Sequence, residues 1–170
     1  MNRIKSSKVT FLGVFTAVAL ILAFIESQIP EFVPIPGIKI GLPNIAIVII
    51  LYKLGFKEAL VVNIIRILLV CLLFGTVLSF IYSLSGGIVS LLVMYLLKKT
   101  KIIQIITVSV VGAVSHNIAQ IVVAIFVLEV SQLIYYFPVL LLTGTISGII
   151  VGIIAGIISK RIDLEKKEDV

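Results

Sequence analysis

The chain has almost nothing with which to do acid–base, redox or metal chemistry. One histidine, one cysteine and no tryptophan occur in 170 residues. The lone Cys71 excludes an intramolecular disulfide, and no cysteine or histidine pattern has metal-ligand spacing. Both aspartates, Asp163 and Asp169, lie in the last eight residues, so no aspartate-rich pair exists for magnesium and diphosphate. No glycine-rich loop ends in Lys and Ser/Thr, which argues against ATP hydrolysis by this chain. Charge is also scarce. Only 13% of residues are charged and 61% are hydrophobic, with a mean hydropathy of +1.31. A soluble domain has roughly 25% charged residues. The composition is that of an integral membrane protein, all-α and polytopic, because helices satisfy their own backbone in lipid.

What is present is a series of apolar runs between short polar connections. They predict one membrane domain over residues 1–170, with helices at about 9–25, 44–52, 58–74, 78–97, 103–128 and 137–159. A charged tail follows at 160–170. Arg3, Lys5 and Lys8 before the first run resemble a signal peptide, but no small-residue cleavage site follows, so this run is read as a retained helix. The connection ESQIPEFVPIPGIKIGLP (26–43) holds four of the five prolines, which excludes helix over much of it. The second run is short. At about 1.5 Å per residue it covers only part of the roughly 30 Å hydrocarbon core, as segments lining a cavity do.

The net charge of +6 does not read as a nucleic-acid stripe. With the N-terminus inside, the clusters at 3–8, 53–57, 98–101 and 160–167 all fall on the cytoplasmic side. Only Lys39 falls outside, and Arg66 lies within the membrane. This predicts six helices with both termini cytoplasmic.

The fifth run carries His116, Asn117 and Gln120 near its middle. His116 and Gln120 are four residues apart and share a helix face. Arg66 is the stronger signal. A guanidinium at membrane depth costs roughly 3 kcal/mol on insertion scales, so it marks a bundle interior or a cavity. Asn63 precedes it by one turn, and Ser83 and Ser90 are possible additions. Glu26, Lys39, Asn44, Arg66, Ser83, His116, Asn117 and Gln120 are the candidate ligand-binding residues, expected to meet in one outward-facing pocket. The alternative is an interhelical hydrogen-bond network, worth about 1 kcal/mol per bond. Small residues recur on helix 1 at Gly13, Ala17, Ala19 and Ala23. On helix 6, Gly144, Gly148, Gly152 and Gly156 form a ridge. Both suit close packing inside the bundle or docking to another membrane subunit.

Glu26 followed by IP, PGIKIGLPN (36–44), LGFKEAL (54–60) with Arg66, LLFG (72–75), SLSGGIVSLLVM (83–94), GAVSHNIAQ (112–120) and YYFPVLLLTG (135–144) resemble the bacterial family called heptaprenyl diphosphate synthase component I, or Gx transporter family. Pro43 departs from the small residue usual there. The resemblance covers nearly the whole chain. It extends to the S components of energy-coupling factor (ECF) transporters. It implies six helices in the bacterial cell membrane, an extracellular-side pocket for a small molecule such as a vitamin or an isoprenoid or quinone precursor, and no cofactor. It also implies a transmembrane coupling protein and ATPase subunits as partners. In S components small residues of the first helix touch the coupling protein, a role that Ala19 and Ala23 fit; the helix 6 ridge is a second expected docking surface. Two alternatives remain. One is a membrane component of polyprenyl diphosphate synthesis. The other is a subunit of a quinone- or flavin-linked electron-transfer system.

Overall fold

The structure is a computed structural model that describes residues 2–28 and 41–162, with side chains from Lys8 onward. Among these residues the chain forms six α-helices: α1 (Asn2–Ser27), α2 (Asn44–Lys53), α3 (Phe56–Phe74), α4 (Val77–Lys99), α5 (Ile105–Leu128) and α6 (Phe137–Arg161), with a 3-10 segment, Ser131–Tyr136, before α6. Four helical segments among the described residues, covering α1, α4, α5 and α6, are long and apolar enough to cross a membrane. The chain is a multi-pass membrane protein. The start of α1 lies further upstream than the apolar run predicts, because Arg3, Lys5 and the polar residues around them continue the helix.

Each reversal has a local cause. Gly55 takes φ 119°, which side chains rarely adopt, and turns α2 into α3. The last carbonyls of α2 are capped from another helix: Lys98 Nζ of α4 donates to Leu51 O at 2.6 Å and Tyr52 O at 3.4 Å. A cation at a helix C-terminus also meets the negative end of the dipole. Thr76 and Ser79 form a reciprocal capping box that starts α4. Glu129 at φ 55° ends α5 in a left-handed turn.

The helices run up and down. Lys8 pairs with Glu58 at 2.5 Å, joining the starts of α1 and α3. Gly86 abuts His116 while Met94 abuts Gly112, so α4 and α5 are antiparallel. One end of the bundle therefore gathers Lys8, Lys53, Lys57, Lys98 and Lys160. The other end gathers the C-termini of α1, α3 and α5.

The short α2 is the centre of the core. Ile45 to Leu51 are buried on every side, against α1, α3 and α6. A helix that is apolar all round belongs inside. Lipid takes the other faces: Ile146, Ile149, Ile150, Ile153 and Ile157 on α6 are exposed.

Candidate functional site

Away from the basic end, α1, α2, α3 and α4 enclose a cavity of about 40 Å³. That is room for a few waters at most. Ala23 and Glu26 line it from α1, Pro43 from the start of α2, Arg66, Ile67 and Cys71 from α3, and Ser79 and Ser83 from α4. Glu26 closes the inward stripe Ala19, Ala23, Glu26. A carboxylate in the last turn of a helix faces the negative end of its dipole. Here it accepts a hydrogen bond from the Gly41 amide and stands within electrostatic reach of Arg66. Arg66 Nη2 donates to Asn63 Oδ1 at 2.7 Å, one turn back on α3. Asn63 is itself fully buried.

A glycine pair on α4 carries this polar group through to α5. A Cβ on Gly87 would lie 2.8 Å from Asn63 Nδ2 of α3. A Cβ on Gly86 would lie 2.9 Å from both His116 Cε1 and Gln120 Cγ of α5. Two side-chain-free positions thus let polar groups of α3 and α5 press on α4 from two sides. Tyr82, one turn away on the Gly86 face, is 1% exposed. The hydroxyl of Tyr82 and Nε of Arg66 are buried without a hydrogen-bond partner, and the His116 ring lies directly against Gly86.

The structure brings Glu26, Arg66 and Ser83 to one cavity and sets His116 and Gln120 beside the glycine pair. It separates the others. Asn117 faces away, toward α6, where its amide donates to Leu140 O at 2.9 Å. It is glue between helices, because one residue turns the helix by about 100°. Asn44 lines a second cavity of about 10 Å³, with Ser90, Ser109 and Ser147. Lys39 lies outside the described residues.

Both expected docking surfaces face inward in this chain. Ala19 and Ala23 point into the bundle, at 0% and 4% exposure. The outward small pair on α1 is Gly13 and Ala17. The helix 6 ridge is used inside the chain: a Cβ on Gly148 would lie 2.6 Å from the Val110 Cα, and one on Gly152 2.8 Å from the Ile106 Cα. Gly144 and Gly156 face the same helix, α5. The sequence reading sets Asn63 beside Arg66 without counting it among the candidate ligand-binding residues, and it leaves Gly86, Gly87 and Tyr82 out of the site. The signal available was a glycine pair in a membrane helix, flanked by serines.

The family model for heptaprenyl diphosphate synthase component I matches residues 15–158. The chain belongs to that family. No curated protein matches it. Among solved structures, one described as the S component of a bacterial ECF transporter is similar with a TM-score of 0.72 and 18% identity, over 92% of this chain and 95% of that one. This family member therefore has the S-component fold. Among the described residues the acidic side chains do not gather as the family's name suggests. Glu26 is at the cavity, Glu58 pairs with Lys8 at the opposite end, and Glu129 is exposed after α5. No group of three or more potential metal ligands exists among the described residues.

Proposed function

We propose that this protein is the substrate-binding subunit of an ECF-type transporter and captures a small molecule at the Glu26–Arg66 end of the bundle. The observation that carries the proposal is the polar group itself. Glu26 and Arg66 line a cavity in an otherwise apolar membrane bundle, Asn63 holds the Arg66 guanidinium, and Gly86 on α4 makes room for His116 and Gln120. Such groups inside a membrane mark a ligand or ion path. With the basic end cytoplasmic, both termini are inside and the cavity opens toward the outside of the cell membrane. The cavity is far smaller than the roughly 300–1,000 Å³ of ligand pockets, so capture requires the outer ends of the helices to part.

The coupling protein, with its ATPases, docks on the outward face of α1. Gly13 and Ala17 there let another helix approach, and Val14, Val18 and Ile21 extend the apolar surface. This reading assigns the chain no prenyl transfer, since among the described residues Glu26, Glu58 and Glu129 stand at different places in the bundle.

The test is extraction of purified protein followed by mass spectrometry. A small molecule should accompany the wild type and be missing from Arg66→Gln. In parallel, Ala17→Trp should abolish co-purification with the coupling protein yet keep the molecule. Retention of every bound molecule by Arg66→Gln would sink the site assignment.

A further inference from the structure

The family's name points to a diphosphate, and the cavity end of this chain is built against one. Phosphate sites use several cations or a helix N-terminus with free amides. Arg66 is the sole basic side chain on the cavity among the described residues, and the negative charge of Glu26 already acts on it. Three helix N-termini reach this end, and several of their donors are already engaged or missing. The amides of Asn44, Ile45 and Ala46 at the start of α2 donate to the carbonyls of Gly41, Leu42 and Pro43 at 2.9, 3.1 and 3.2 Å. At the start of α4, the Ser79 amide donates to Thr76 Oγ1 at 3.2 Å and the Thr76 amide to Ser79 Oγ at 2.8 Å. At the start of α6, Pro138 has no amide hydrogen to give.

What remains open is a small set of unpaired hydrogen-bond donors. Arg66 Nε, on the cavity, and the Tyr82 hydroxyl, one turn before Gly86 on α4, are each buried without a partner. Nε is a donor only, and a hydroxyl donates readily. Buried polar atoms left unpaired are costly, so they point to a guest that pairs them.

We infer that the site takes a small molecule without net negative charge, held through its hydrogen-bond acceptors, and that it rejects diphosphates. This rests on the ligand-capture reading above. Glu26 is the selecting residue. Its carboxylate offsets the Arg66 charge and repels an anion. Glu26→Gln keeps an oxygen for the Gly41 amide and removes only the charge.

Calorimetric titration of the purified full-length chain with isopentenyl diphosphate and with inorganic diphosphate tests the inference. The wild type should show no binding tighter than about 1 mM. Glu26→Gln should bind isopentenyl diphosphate at least about tenfold more tightly than the wild type, by removal of a like charge. The double variant with Arg66→Gln should lose the gain. Ser83→Lys, which adds a cation to the same cavity and leaves Glu26 in place, should gain similarly and serves if Glu26→Gln does not fold. Micromolar binding of either diphosphate by the wild type overturns the inference, as does an absence of gain in both single variants. An Arg66-dependent co-extracted molecule that proves to be a phosphate overturns it while leaving capture intact. Diphosphate gain by the variants with no such molecule upholds the charge argument and removes the capture reading.

Discussion

Two seams of this bundle use glycine in opposite ways. Between α5 and α6, Gly148 and Gly152 bring main chain onto main chain, at Val110 and Ile106. Between α4 and its neighbours, Gly86 and Gly87 bring main chain onto side-chain tips, those of His116, Gln120 and Asn63. At Gly148 and Gly152 the first seam is main chain against main chain, and those contacts have no way to yield. The second is polar, and the groups pressed on it are side chains rather than main chain. Glycine in a membrane helix therefore does two jobs: it shortens the distance between helices, or it clears room beside one for polar groups. The neighbour decides which.

The comparison is easiest to break at the closed seam. Gly148→Leu should cost more than about 3 kcal/mol, because neither backbone can move aside. Size-exclusion chromatography in detergent should show loss of the monodisperse peak. If the variant stays folded with an unchanged melting temperature, the seam is not packed as described.

Gly86→Ala should behave differently. The atoms it meets are ends of side chains, so the fold should survive with a modest fall in melting temperature. Retention of the bound molecule should drop about tenfold, near 1.4 kcal/mol. A variant that unfolds like Gly148→Leu would erase the distinction between the two seams.

Asn117 and His116 sharpen it further, being neighbours in sequence on different seams. Asn117→Ala removes the bond to Leu140 O and should cost about 1 kcal/mol of stability, with ligand retention unchanged. His116→Ala should lower ligand retention and leave stability nearly the same. Thermal unfolding and extraction, run on both variants, separate the two roles; identical profiles would count against them.

The smallest effect belongs to the basic end, where Lys8 and Glu58 pair at the edge of the bundle. Glu58→Gln should cost less than about 1 kcal/mol, and less again at high salt. A larger loss, insensitive to salt, would mean that the pair holds α1 against α3.

The number of helices, their approximate limits and the presence of an interior polar group were legible in the sequence. Apolar runs of membrane length require helices, because lipid offers no partner to a bare backbone. Arg66 and Glu26 stand out for the same reason, since isolated charge has no place against lipid. Which way each apolar face points was decided only by the tertiary structure. In water, polarity labels the outside of a helix and periodicity reveals the core. In a membrane, lipid is as apolar as a packed neighbour, so the label is missing. Hence α1 carries small residues on two faces, Gly13 and Ala17 outward, Ala19 and Ala23 inward, and composition does not tell them apart. The ridge on α6 likewise required close contact with some helix, and only the packed chain shows that the helix is its own α5.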